Sequence, residues 1–174
     1  LVHALQTASW YGDYLREQEK HAEALENADM PPPPMPATAQ YELARSRLHP
    51  IRALTSGAEV IAPAPFYAGG RWRYTARSAW WSDYRERVPV LVGHYWRHWY
   101  PRDADPTREN LMPPQNNAWH GAAHNVFCID YSVGARWRDR KAGIAPAHSE
   151  FRLAAMRWPE RVLVFDDGET AATV

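Results

Sequence analysis

A layered α+β (α/β) fold is the class this sequence predicts, and three observations predict it. Residues 4–29 and 39–48 are rich in helix formers, with no proline and a single glycine. Short apolar runs at 88–92 and 126–129 have the length and β-branched content of buried strands. With 15 prolines and 9 glycines among 174 residues, a long uninterrupted helical bundle is excluded.

The chain opens Leu1-Val2-His3-Ala4, two β-compatible residues and then an imidazole, which reads as the last step of a strand. Over 4–29, Leu15, Ala22 and Leu25 fall on one face that Trp10, Tyr11 and Tyr14 extend, so a helix is expected. The run Pro31-Pro32-Pro33-Pro34-Met35-Pro36 stops it, because proline has no N–H to donate within a helix. That run reads as a stiff surface loop or, alternatively, as a proline-motif ligand. A second helix is expected over 39–48 and a shorter turn over 51–55. Residues 56–81 mix turn chemistry with aromatics. The segment 88–92 is a strand buried on both faces that ends abruptly in Gly93-His94. A long polar loop over 99–124 follows, and then a second buried strand that ends at Asp130. Residues 152–156 and 161–165 read as a hairpin with Trp158-Pro159-Glu160 at its turn. Asp166-Asp167-Gly168 closes the second strand, and 169–174 are expected to fray. There is no internal repeat.

Composition narrows the function classes. Lys+Arg and Asp+Glu balance at 20 each, which argues against binding a nucleic-acid backbone or an acidic membrane by bulk charge. The one cysteine, Cys128, excludes an internal disulfide and a cysteine-based zinc site, and reads as a small core residue. No eighteen-residue apolar run or leader-like start is present, so a soluble cytoplasmic protein is expected.

Chemistry concentrates at the strand that ends in Gly93-His94. A buried strand fixes its own end, and glycine lets the backbone turn close to a ligand. An imidazole just beyond is held well enough to bind a metal, or to make an ordinary hydrogen bond. His3 has the same setting at the start. The pairs His94-x3-His98 and His120-x3-His124 would chelate only on helices, which the flanking residues disfavour. Arg71, Arg73 and Arg77 are candidate phosphate ligands; in an extended segment the first two share a face. Trp72, Tyr74, Trp80 and Trp81 beside them would either stack on a base or simply pack. Asp130 would orient a metal-bound histidine or start a turn. Asp166-Asp167 reads as a hairpin end. No nucleophile elbow, Walker loop or dinucleotide fingerprint occurs.

Three blocks carry a resemblance: Val88-Pro-Val-Leu-Val-Gly-His94-Tyr-Trp96, Phe127-Cys-Ile-Asp-Tyr-Ser-Val-Gly134 and Arg152-Leu-Ala-Ala-Met-Arg-Trp-Pro-Glu160. Together they resemble the C-terminal half of bacterial calcineurin-like metallophosphoesterases, in the phosphoprotein-phosphatase and diadenosine-tetraphosphatase branch. Leu1-Val-His-Ala4 and the Gly70-Arg-Trp-Arg-x3-Arg77 stretch are similar to further parts of that family. The resemblance implies a four-layer α/β/β/α sandwich, with 1–174 the C-terminal portion of a single domain. Within that portion, 5–55 are read as a helical segment with a proline-rich loop at 31–36, which the resemblance does not cover, and 88–168 as a β-rich C-terminal sheet. The resemblance implies two divalent ions in the whole protein (manganese, iron, zinc or cobalt) that activate a hydroxide for in-line attack on phosphorus. His3 and His94 carry over as metal ligands; Arg71, Arg73 and Arg77 as substrate-binding residues and Asp130 as support stay readings from residue type and position. The implied partners are a phosphorylated small molecule, nucleotide or phosphoprotein, and the missing N-terminal half of the same domain.

The family's Asp-x-His, Gly-Asp-x-x-Asp and Gly-Asn-His blocks do not occur in these residues. The bridging carboxylate and general acid are therefore expected upstream of residue 1, leaving at most one partial metal site here and an inactive fragment. Two competing readings are a non-catalytic nucleotide- or phosphate-binding module using the Arg/Trp surface, and an interaction domain docked through Pro31–Pro36.

Overall fold

The computed structural model describes residues 2–99, 111–112 and 116–174. The element order is mixed: α1 (Val2–Gln6), α2 (Tyr11–Lys20), α3 (Ala22–Glu26), α4 (Pro36–Arg47) and α5 (Pro50–Ser56), then β1 (Glu59–Ala68), β2 (Arg71–Arg77), β3 (Val90–Val92), β4 (Val126–Cys128), α6 (Arg136–Lys141), β5 (Ala154–Arg157), β6 (Val162–Phe165) and β7 (Thr170–Ala172). Helices and small sheets of this kind make a mixed α/β fold. Where the sequence suggests that 1–174 is part of one domain, the chain contacts group it into two compact units, Leu1–Ser78 and Ala79–Val174.

In the first unit, α4 packs against α2, β1 and β2. Pro36 opens this helix, a position where its missing N–H costs nothing. Two further N–H groups of the first turn, on Ala37 and Thr38, donate to the Glu17 carboxylate at 3.1 and 2.7 Å. The Tyr14 and Tyr41 rings stack between α2 and α4 with centroids 4.0 Å apart. The aromatic stretch at 59–77 forms a hairpin, β1 antiparallel to β2, that turn-like residues mask in the sequence. Four residues, Ala62-Pro63-Ala64-Pro65, bulge out between the paired Ile61 and Phe66. Proline cannot donate to a strand ladder, so two of them in one strand force the register to shift there. Trp72 and Tyr74 face inward and join Met35 and Ala39 in the core. Trp72 Nε1 donates to the Asn27 carbonyl at 2.9 Å, and the Tyr74 backbone N–H donates to Glu42 at 2.9 Å, so the open edge of β2 is satisfied there.

The second unit is built on β4, which is buried on both faces as its apolar run predicts. Phe127 enters a core with Trp119, Tyr131, Leu163 and Phe165, while Val126 and Cys128 enter another with Trp81 and Met112. The other apolar run forms the parallel partner β3, aligned Val90 to Val126 and Val92 to Cys128. Unlike β4 it is not buried: Leu91 stays 43 % exposed, so the expectation of burial on both faces fails for β3. The expected single sheet over 88–168 is also divided: β5, β6 and β7 form a separate antiparallel sheet. The tail does not fray. The turn Asp166-Asp167-Gly168 returns the chain as β7, and Val174 exchanges backbone bonds with Asn117 and Trp119 at 2.9 and 2.8 Å. A buried Arg152 locks that turn. Its guanidinium lies 4.0 Å from the Phe165 ring centre and pairs with Asp167 and Glu169. No helix among the described residues is long and apolar enough to cross a membrane.

Candidate functional site at the carboxyl end of the parallel strands

β3 and β4 run in the same direction, so the residues after Val92 and after Cys128 emerge side by side. Crevices beyond the carboxyl ends of parallel strands are where open α/β sheets place their ligands. Here that edge carries Gly93-His94 from one strand and Ile129-Asp130 from the other. A Cβ built on Gly93 would stand 3.9 Å from the Asp130 Cβ, so the two segments touch.

The loop after β3 is tied down at several points. Ile129 N–H donates to the Val92 carbonyl at 3.0 Å and Arg97 N–H donates to the Asp130 carbonyl at 3.0 Å. The Asp130 carboxylate accepts from Ser132 N–H at 2.9 Å and from Trp96 N–H at 3.4 Å. Ser132 Oγ donates to the Arg97 carbonyl at 2.8 Å. His94 and Trp96 both hold positive φ, 67° and 52°. Left-handed backbone at a non-glycine residue is disfavoured, and such conformations persist only where the surroundings over-determine them. His94 is exposed, and its ring meets the Trp96 ring edge-on at 5.4 Å between centroids.

Asp130 opens the turn at Ser132, one of its two alternative readings, and its carboxylate also accepts from Trp96 N–H in the loop that carries His94. Two features at this edge had no sequence signal. His98 Nδ1 lies 3.3 Å from Glu150, a residue more than fifty positions later. Arg97 is buried against His120, whose pKa is pushed down to about 4, by burial first and by the Arg97 charge second. The Cys128 thiol is pushed up to about 11, chiefly by burial, in keeping with a core role.

The remaining candidates lie elsewhere. His3 stands on α1, a helix, so the strand-end setting that singled it out is corrected: its carbonyl accepts from Thr7 N–H at 3.1 Å, four residues on, as in a helical turn. Arg71 and Arg73 do share a face of β2. Arg71 is exposed, whereas Arg73 folds back with Nε 3.2 Å from the Ala68 carbonyl. Arg77 is in register with Glu59. Trp72 and Tyr74 are core residues of the first unit and present no stacking face. His94-x3-His98 and His120-x3-His124 are not helical, so neither pair has chelating geometry. The middle of the 99–124 loop and Leu1 lie outside the described residues. Among the described residues, no three His, Cys, Asp or Glu side chains come close enough to hold a metal ion. The edge therefore offers one well-placed imidazole and a carboxylate already engaged by backbone N–H groups; alone it does not fit a metal ion. No family model, curated protein or solved structure matches the chain.

Proposed function

We propose that this chain is part of a metal-dependent phosphoesterase and that His94 contributes one imidazole to its metal centre. The observation that carries the reading is the setting of His94: an exposed imidazole in left-handed backbone, on a loop braced by Asp130 at the carboxyl end of parallel strands. The resemblance of the blocks around His94, Asp130 and Arg152 to metallophosphoesterases supports it. His3 enters the proposal through that resemblance alone, and Arg71, Arg73 and Arg77 through their residue type and spacing. In such a centre, bound divalent ions neutralise charge on a phosphoryl group and supply an activated water. The ligands beyond His94, and the general acid, would come from residues other than those described. The substrate would be a phosphate ester or phosphoanhydride on a small molecule, nucleotide or protein.

The test uses the natural gene product that contains these 174 residues, assayed on p-nitrophenyl phosphate with manganese. Turnover that a chelator abolishes, and that His94→Asn removes without loss of fold, is the expected result. Asparagine is chosen because it tolerates left-handed backbone. Turnover that survives His94→Asn would defeat the proposal, as would nucleotide binding indifferent to chelator with no turnover at all.

A further inference from the structure

The loop that carries His94 is fastened from beneath by a side chain for which the proposed reaction has no direct use. Arg97 turns inward from the loop and is 7 % exposed. Its Nη1 lies 3.4 Å from the Cys128 carbonyl oxygen, at the end of β4, and 3.4 Å from Nε2 of His120. The guanidinium carbon stands 5.9 Å from the centre of the Tyr131 ring. His120 is 3 % exposed and is anchored through its own backbone: its N–H donates to Val126 O at 2.7 Å, and Val126 N–H donates back at 3.3 Å. One guanidinium thus meets three segments, the 93–99 loop, the end of β4 and the bridge at His120.

The chemistry of the contact fixes its protonation. Nε2 accepts from Arg97 only when it carries no proton, so the His120 ring is neutral there. Burial and the adjacent cation both oppose protonation. Nδ1 of His120 has no hydrogen-bond partner among the described residues, so the ring's polar orientation rests on the Nε2 side.

We infer that Arg97, seated against His120 and the Cys128 carbonyl, is a positioning residue that holds the 93–99 loop and thereby aims His94. For its functional half this rests on the reading of His94 as a metal ligand. Its structural half, that the guanidinium holds the loop, is measurable without any metal. Side chains that orient a ligand in this way typically alter metal affinity by about ten- to a hundredfold when removed.

The experiment again uses the natural gene product. Arg97→Met keeps a long stem and deletes the guanidinium; Arg97→Lys restores the charge and one donor. Three quantities are read: hydrogen exchange at the Trp96 and Arg97 amides, manganese affinity by titration of the ion's EPR signal, and kcat and KM for p-nitrophenyl phosphate. Arg97→Met is expected to speed exchange at those amides, weaken manganese about tenfold or more, and lower kcat more than it raises KM. Arg97→Lys is expected to recover part of each loss. Should Arg97→Met fail to fold, His120→Leu removes the same contact from the other side and is expected to speed exchange at the same two amides. Unchanged exchange in the folded variant overturns the inference. Faster exchange with manganese affinity untouched overturns its functional half. Faster exchange in a protein whose wild type binds none of manganese, iron, zinc or cobalt upholds the strut and defeats the phosphoesterase reading instead.

Discussion

His120 makes the stability of the second unit depend on pH between about 4 and 6.5. Its pKa falls from the ordinary 6.5 to about 4 in the folded chain, because burial and Arg97 disfavour the imidazolium. The folded state therefore keeps the ring neutral, while the unfolded chain takes up a proton as pH drops below 6.5. Stability from this residue is complete above that value and is lost progressively down to the folded pKa. Each pH unit between the two values is worth about 1.36 kcal/mol, so the full loss is about 3 kcal/mol, most of it gone by pH 4.5.

The comparison that isolates the effect is wild type against His120→Gln, since glutamine offers Arg97 an acceptor but does not titrate. Urea unfolding is followed by tryptophan fluorescence, which reports mainly the second unit because Trp10 and Trp72 are the tryptophans of the first. With a urea slope of about 1–2 kcal/mol per molar for a unit of this size, the wild-type midpoint should fall by roughly 1–2.5 M more than the variant's between pH 7 and pH 4.5. Parallel shifts in the two proteins would refute the reasoning, because they would show that His120 is free to protonate while folded.

Two substitutions test the scaffold itself. Glu17 gathers the Ala37 and Thr38 N–H groups and the Thr38 hydroxyl, so Glu17→Ala should destabilise the first unit by about 1–3 kcal/mol and Glu17→Gln by less, read by urea titration of the far-ultraviolet signal; equal stability of Glu17→Ala and wild type would contradict that capping role. Gly121 has φ +84°, and a Cβ there would sit 2.6 Å from the Trp81 carbonyl oxygen. Gly121→Ala should therefore cost at least about 2 kcal/mol, from left-handed strain plus displacement of Trp81 from its core. Gly134→Ala, with no atom within 4 Å of its Cβ position, should melt like wild type.

What is legible in the sequence is what depends on neighbours along the chain. The apolar runs at 88–92 and 126–129 contain β3 and β4, and Trp158-Pro159 lies in the turn between β5 and β6. What is not legible depends on contacts across it. The β1–β2 hairpin is hidden because Pro63 and Pro65 look like strand breakers, and only the pairing of Phe66 with Arg73 shows that the strand resumes beyond them. The tail reads as frayed because nothing local holds it; its partners are β6 and Asn117. At the candidate site, Gly93-His94 and Asp130 are each recognisable as strand ends, and parallel pairing makes them neighbours. Arg97 looks like any surface arginine, since its burial is set by His120, Cys128 and Tyr131, more than twenty residues away.

The allocation of polar groups at this edge bears on the proposed role of His94. A divalent ion needs several ligands, and one imidazole supplies a small part of its affinity. The nearby carboxylate that would otherwise add to it, on Asp130, is engaged by the N–H groups of Trp96 and Ser132. The same loop accepts two left-handed residues and is bound to the β4 segment by Arg97 N–H and Ser132 Oγ. A surface loop that held nothing in place would relax both left-handed residues and leave Asp130 solvated. Holding them costs about 1–3 kcal/mol each, offset by the contacts that Asp130 and Arg97 make beneath. Under the proposed reading of His94 as a metal ligand, this allocation commits a carboxylate to fixing the loop backbone, which favours accurate placement of a shared ligand over independent metal binding by this edge.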